Sequence, residues 1–127
     1  MDLVDLAGLK VMVVDDSLTM RKVLSRLLER EGYRVITAIH GVDALQILQE
    51  IKPSIILTDI EMPHMDGFEL VRQLRNDAAT AETPIIMISS RTAEKHQSLA
   101  KSLGVNDFMG KPIQDDALIA LIASLIG

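Results

Sequence analysis

Apolar residues recur along this chain in two alternating rhythms. KVMVV (10–14) is a short, continuous, valine-rich run that reads as a strand buried on both faces. RVITA (34–38), SIILTD (54–59), PIIMIS (84–89) and the shorter VNDFMG (105–110) read as four more strands. Pro84 stands at the first residue of its strand, where a missing N–H is tolerated. Between these runs the spacing turns helical. In LTMRKVLSRLLERE (18–31), Met20, Val23, Leu24, Leu27 and Leu28 form one stripe with Arg and Glu opposite. Ser17 is the expected N-cap of that helix and Gly32 its C-cap. VDALQILQEI (42–51) turns Ala44, Leu45, Ile47 and Leu48 inward, and Pro53 breaks it. GFELVRQLRN (67–76) is helical through Phe68, Leu70, Val71 and Leu74, and DAATAET after it is a loop. EKHQSLAKSLG (94–104) is a helix ending on glycine. DDALIALIASLI (115–126) is the last, with two acids in its first turn that favour its dipole.

Five alternating β–α units predict an α/β fold, a doubly wound five-stranded parallel sheet flanked by five helices. No repeat, linker or low-complexity segment interrupts it, so one domain is expected over residues 1–127, with 1–8 as an N-terminal extension. In such sheets ligands gather at the carboxyl ends of the strands. Asp15 and Asp16 follow the first strand, Asp59 ends the third, Ser89 ends the fourth, and Lys111 follows the fifth. With the first, third, fourth and fifth strands close together, these residues would border a single pocket.

Composition narrows the field. The 127 residues suit one domain with a real core. A net charge of −5 argues against nucleic acid as a partner, which usually meets a basic face. There are no cysteines, which removes disulfides, thiolate metal sites and cysteine nucleophiles. The opening MDLVDLAG carries acid where a signal peptide carries base, so a cytoplasmic location is the default. The longest apolar stretch, ALIALIASLIG, is too short for a bilayer, and no membrane role is expected. Aromatics are limited to Tyr33, Phe68 and Phe108, so the core must be aliphatic and Met-filled.

Clustered carboxylates repel. Two unit charges ~4 Å apart cost roughly 4 kcal/mol at an effective dielectric of ~20. Asp15, Asp16 and Asp59 together would need a cation, a proton or both. With oxygen ligands alone, a hard cation such as Mg²⁺ is the natural choice. Mg²⁺ commonly shares its shell with phosphate, and Lys111 and Ser89 could hold further phosphoryl oxygens. An aspartate can itself be the nucleophile. Taken singly, each residue has a structural reading, as helix cap, turn-former or loop residue. Four strand ends that each supply a chemically matched group point instead to Mg²⁺-assisted phosphoryl transfer onto an aspartate.

The segments VMVVDDS, LTDIEMPHMDGFEL, PIIMISS and FMGKPI together resemble the response-regulator receiver domain of bacterial two-component signalling, over nearly the whole chain. The resemblance implies the flavodoxin-like strand order 2-1-3-4-5, which the chemotaxis member of the family exemplifies. It implies that Asp59 accepts the phosphoryl group from a histidine kinase, a phosphotransfer domain or a small acyl phosphate. It implies that Asp15, Asp16, Asp59 and the Glu61 carbonyl bind Mg²⁺, with Mn²⁺ as a substitute. Ser89 and Lys111 would hold the phosphoryl oxygens, and Lys111–Pro112 would be a cis bond. Phe108 matches the aromatic switch position, with phenylalanine where many relatives have tyrosine. Inward packing there would rest on apolar burial alone. Phosphorylation would switch the face of the fourth helix, fifth strand and fifth helix for an output protein. DDSLTMRKVLSRLLE and SSRTAEKHQSLAKSLGVNDFMGKP further resemble the receiver fused to large hybrid chemotaxis-type kinases, including those controlling type IV pili. A stand-alone regulator is the competing reading.

Other expectations concern the rim and the surface. Glu61 and Arg91, of opposite charge, stand two residues after Asp59 and Ser89 and are expected to pair across the site's mouth and hinder an attacking water. The last helix is apolar nearly all round. Leu118, Ile122 and Leu125 would face the sheet, leaving Leu121 and part of Ile119 or Ile126 outside for a dimer or neighbouring domain. His40, His64 and His96 lack metal spacing, and His64 reads as an exposed loop histidine. The rival functions are a phosphate sink or unphosphorylated scaffold, and an aspartate-nucleophile phosphatase of the haloacid dehalogenase type. The last would want D-x-D on the first strand, where this chain has adjacent acids.

Overall fold

The structure, a computed structural model, describes residues 9–126; the expected N-terminal extension, 1–8, lies outside the described residues. Five strands, β1 (Lys10–Val14), β2 (Arg34–Ala38), β3 (Ile55–Thr58), β4 (Ile85–Ser89) and β5 (Asp107–Gly110), form one sheet in the order β2-β1-β3-β4-β5. Every neighbouring pair is parallel. Five helices alternate with them: α1 (Leu18–Arg30), α2 (Gly41–Ile47), α3 (Gly67–Asn76), α4 (Glu94–Ser102) and α5 (Asp115–Ile126). The expected doubly wound architecture is the one observed.

The period-2 alternation of a strand sends neighbouring side chains to opposite faces. Val11, Val13, Ile55, Leu57, Ile86 and Ile88 meet Leu24, Leu27 and Leu28 of α1 and Leu118 and Ile122 of α5. Met12, Val14, Ile56, Ile85 and Met87 meet Ala44, Phe68, Leu70, Val71, Leu74 and Ala100, from α2, α3 and α4. Both faces are therefore covered, which is why β1, β3 and β4 read as unbroken apolar runs. The chain winds from β1 outward to β2 and then returns to β3 on the other side of β1. The fold's switch point lies between the carboxyl ends of β1 and β3, with Val14 paired to Thr58.

Several expectations shift by a residue or more. Val23 is 48% exposed, because it lies about a quarter-turn from the Leu24–Leu27–Leu28 face that meets the sheet. Ser17 does cap α1, accepting from the Met20 N–H, but the C-cap is Glu31. Gly32 follows it at φ 93°, as glycine can without strain. Helix α2 begins at Gly41 and ends at Ile47, short of the expected Ile51. Gln49 and Glu50 donate to Gln46 and Ile47, three residues back, so the helix tightens into turns before Pro53. Strand β3 starts and ends one residue inside its expected run, β4 and β5 begin one and two residues late, and helix α4 ends two residues early.

Helix α5 departs most. Leu118 and Ile122 are buried as expected, but Ile119, Leu121, Leu125 and Ile126 are all partly buried against the same core. Its exposed positions are Asp115, Asp116, the alanines 117, 120 and 123, and Ser124, so the large apolar side chains expected outside are partly covered instead. The large apolar side chains left in solvent among the described residues are Leu18, Val23, Ile39, Val42 and Leu99. No helix among the described residues is long and apolar enough to cross a membrane.

Candidate functional site

The sheet register brings the strand-end acids together. Asp15 N–H donates to Ala38 O at 3.1 Å and Asp59 N–H to Val14 O at 3.0 Å, so both residues continue the ladder one step past their strands. Asp15 is buried and its polar atoms are engaged: Oδ1 accepts from Ser17 N–H (2.9 Å) and its carbonyl from Arg21 Nη1 (2.7 Å). Asp59 is half-buried, and its Oδ1 accepts from Ile60 N–H at 2.7 Å. Asp16, next to them, is exposed. One carboxylate oxygen from each of the three lies within 4.8 Å of the others.

Lys111 reaches into this cluster from the end of β5. Its Nζ is 3.1 Å from Asp15 Oδ2 and 3.1 Å from Asp59 Oδ2. Three carboxylates thus face a single ammonium, a charge deficit that a divalent cation would fill. All the donors are oxygens in mutual reach, a set that fits a hard cation.

The local electrostatics follow. Burial pushes the Asp59 carboxyl above the ordinary carboxylate range; the Ile60 N–H and Lys111 oppose this, and the Asp15 charge adds to it. Burial alone would lower the Lys111 ammonium, but its hydrogen bond to Asp15 and the charges of Asp15 and Asp59 outweigh that and raise it. The two shifts are not mirror images, because burial prevails at Asp59 and pairing prevails at Lys111. Lys111 Nζ is thus shared between the Asp15 and Asp59 carboxyl groups.

The other expected residues lie around this centre. Ser89 is buried at the end of β4, and its Oγ accepts from Arg91 N–H at 3.0 Å. Its carbonyl accepts from Lys111 N–H at 2.9 Å, which ties the ends of β4 and β5 together. The Lys111–Pro112 bond is cis. Phe108 is partly buried and borders a groove with Glu94, Gln97, Lys101 and Asp107, between α4 and β5. Glu61 and Arg91 form an ion pair, both more than half exposed. A groove of about 660 Å³ beside the pair is lined by Asp16, Asp66, Phe68 and His96, among others.

Some contributors were not singled out from the sequence. Arg21, which holds the Asp15 carbonyl, sits among several α1 cations with no mark of its own. Gly67 opens α3 so close to the end of β3 that a Cβ would lie 2.1 Å from Asp59 O. A glycine directly behind an N-cap aspartate was the available signal. His64 is exposed, as expected, but holds φ 69° and stands edge-on to the His40 ring. His96 stacks on Phe68 with centroids 6.4 Å apart.

Comparison with known proteins gives a consistent picture. Residues 11–123 match the family model described as the response regulator receiver domain. The protein PilG of Pseudomonas aeruginosa is 39% identical over 115 residues, 91% of this chain and 85% of that one. The chemotaxis protein CheY4 of Vibrio cholerae superposes with a TM-score of 0.87 at 32% identity, covering 92% of this chain and 98% of that chain. The signal receiver domain of a signal transduction histidine kinase from Syntrophus aciditrophicus also gives 0.87, at 28% identity, covering 94% and 90%.

Proposed function

Because this chain belongs to the response regulator receiver family of two-component signalling, we propose that it is a phosphoacceptor switch in which Asp59 takes a phosphoryl group from a phosphohistidine or a small acyl phosphate. The observation that carries the reading is Lys111 Nζ at 3.1 Å from both Asp15 and Asp59, two members of an acidic triad. Asp59 is the carboxylate suited to attack. It is half-buried and shares its Oδ2 with Lys111, whereas Asp15 is enclosed by its own hydrogen bonds. An Asp59 oxygen attacks phosphorus, the P–N bond of the phosphohistidine breaks, and the imidazole leaves with the electron pair. Water attacking the same phosphorus later returns the carboxylate and releases phosphate.

Asp15, Asp16, Asp59 and the Glu61 carbonyl would hold Mg²⁺, or Mn²⁺ in its place. A bound divalent cation would neutralise phosphoryl oxygens during transfer. Lys111 offers its ammonium to an oxygen of the transferred group while keeping its contact with Asp15. The Ser89 hydroxyl turns toward another oxygen and gives up the Arg91 N–H it now accepts. Phe108, without a hydroxyl, follows inward by apolar burial alone. The readout is the surface of α4, β5 and α5, met by an output protein. The chain is read as one receiver domain over 1–127, acting in the cytoplasm, with no nucleic-acid or membrane role. Its reactions are its own phosphorylation and dephosphorylation, not turnover of a free substrate.

The test is an intact mass after incubation with Mg²⁺ and a small acyl phosphate, beside Asp59→Asn and a metal-free sample. A gain of one phosphoryl group (~80 Da) that needs both the metal and Asp59 supports the reading. No gain from either an acyl phosphate or a phosphohistidine donor would leave an unphosphorylated scaffold. A gain that decays without changing α4–β5–α5 would mark a phosphate sink in a hybrid kinase. Hydrolysis of a panel of phosphate esters would favour the aspartate-nucleophile phosphatase. Self-association through the last helix is less favoured than output through α4–β5–α5, because the large side chains of α5 are already partly buried.

A further inference from the structure

The loop between β3 and α3 carries Glu61, and two features fasten it at different points. Its base is closed by Gly67 N–H donating to Ile60 O at 2.7 Å. Its tip is fastened to the start of α2. The His64 ring stands edge-on to the His40 ring, with centroids 5.2 Å apart and planes at 78°. Met65, next to it, lies over Gly41 so closely that a Cβ there would be 2.8 Å from its Sδ.

The α2 side of this contact is rigid. His40 is the N-cap of α2, and its Nδ1 accepts from Asp43 N–H at 3.1 Å. Asp43 Oδ2 in turn accepts from Ile39 N–H at 2.9 Å, so two backbone donors are satisfied reciprocally. The bond fixes the plane of the His40 ring against which the His64 ring stands at 78°. The loop side is strained. His64 has φ 69°, a conformation that a residue with a Cβ adopts only when its surroundings impose it.

We propose that His40 and His64 are positioning residues that clasp the phosphosite loop to α2 and so hold the Glu61 carbonyl in place for the divalent cation. This rests on the reading of the acidic triad as a metal site. The strain at His64 is sustained by its contact with His40, and the bare edge of Gly41 lets Met65 close the clasp. The clasp therefore acts on the cation through the backbone of Glu61, with neither imidazole touching the ion.

The test separates ring contact from capping and backbone effects. His40→Ser keeps an N-cap acceptor without the ring. His64→Asn keeps a residue tolerant of positive φ without the ring. Mg²⁺ affinity is read by calorimetry on the full chain, and amide exchange at residues 61–65 is read without metal. Each single variant is expected to bind Mg²⁺ about three- to tenfold more weakly, the scale of one aromatic contact. Each should also exchange faster at 61–65. The double variant should lose no more than one single, because both remove the same contact. Unchanged affinity and exchange in both singles, or losses that add fully in the double, would overturn the clasp. Should the native chain bind no Mg²⁺, the metal reading itself fails, and with it the carbonyl-holding role. The exchange data then still decide whether the rings fasten the loop.

Discussion

The Lys111 ammonium is held 3.1 Å from Asp59 Oδ2 by a partnership that also includes Asp15, so one cation serves two carboxylates from two different strands. Its folded pKa is raised, so the stability it contributes is fully present below the unfolded lysine value of ~10.4 and is lost as pH rises through the folded value. Lys111→Met should therefore destabilise the metal-free protein by about 2 kcal/mol at pH 7, since it leaves the buried Asp15 and the half-buried Asp59 carboxylates without their shared cation. The difference from the native chain should shrink only above about pH 10. Urea melts between pH 7 and 11 would measure it, and a difference that already vanishes by pH 9 would contradict the assignment.

Asp59 has linkage of the same sign in a more acid window, from a different cause. Its folded pKa is raised, chiefly by burial, so the folded state binds its proton more readily than the unfolded chain does. Stability from this group is greatest below the unfolded carboxylate value of ~3.9 and falls as pH rises through the folded value. At pH 7 the ionised carboxylate is a liability. Asp59→Asn should melt a few degrees higher than the native chain in metal-free buffer, with Lys111 still paired to Asp15. The gain should fade toward pH 4. Thermal melts at the two pH values check both the sign and the window.

Gly67 tests how tightly the site is built. A methyl group there would lie 2.1 Å from the Asp59 carbonyl and 3.0 Å from the Ile60 Cα, both of them backbone atoms that cannot swing aside. Gly67→Ala should cost about 1–3 kcal/mol, the range for overpacking, even though alanine favours the helix it begins. It should also displace Asp59 and slow phosphoryl loading. A melting point equal to the native one would show that the helix start can shift.

The parts legible in the sequence are those that local chemistry dictates. Strands buried on both faces announce themselves as apolar runs, and the Asp15, Asp59 and Lys111 positions follow from where those runs stop. Less legible were features set by distant partners. Val23 shares a stripe with Leu27 by spacing, yet the angle at which α1 meets the sheet leaves it in solvent. The partial burial of Leu121 and Ile126 depends on how deeply α5 settles, which no periodicity encodes. The conformation of His64 is fixed by residues more than twenty positions earlier.

Arg75 belongs with these distant effects. It reads as an ordinary basic residue in the last turn of α3, yet its guanidinium donates to Thr80 O, Ala81 O, Thr83 O, Gly104 O and Asn106 Oδ1. It ties the loop before β4 to the turn before β5, and Asn106 Oδ1 also accepts from Ile85 N–H. Burial lowers its pKa without making it a switch, since the guanidinium stays charged throughout. Arg75→Lys keeps the charge and loses the planar fork. It should cost about 2 kcal/mol in a urea melt while leaving Mg²⁺ affinity unchanged, because the clamp lies at the far end of the sheet from Asp59.

At the near end, the Glu61–Arg91 pair should govern the lifetime of the phosphoryl group without contributing to stability. Both side chains are more than half exposed, so breaking the pair should change folding stability by no more than ~1 kcal/mol. Its position is what matters. Arg91 pairs with Glu61, and both side chains line the groove that Asp16 also borders. If water reaches an Asp59 phosphoryl group along this groove, it passes beside the pair. Arg91→Ala and Glu61→Ala should each shorten the phosphoryl half-life several-fold, measured by mass after loading from a small acyl phosphate. The exchange of charges, Glu61→Arg with Arg91→Glu, should restore much of it, because it rebuilds the bridge with the signs reversed. An equal half-life in all four proteins would mean that water reaches Asp59 by another route and that the pair is only a surface contact.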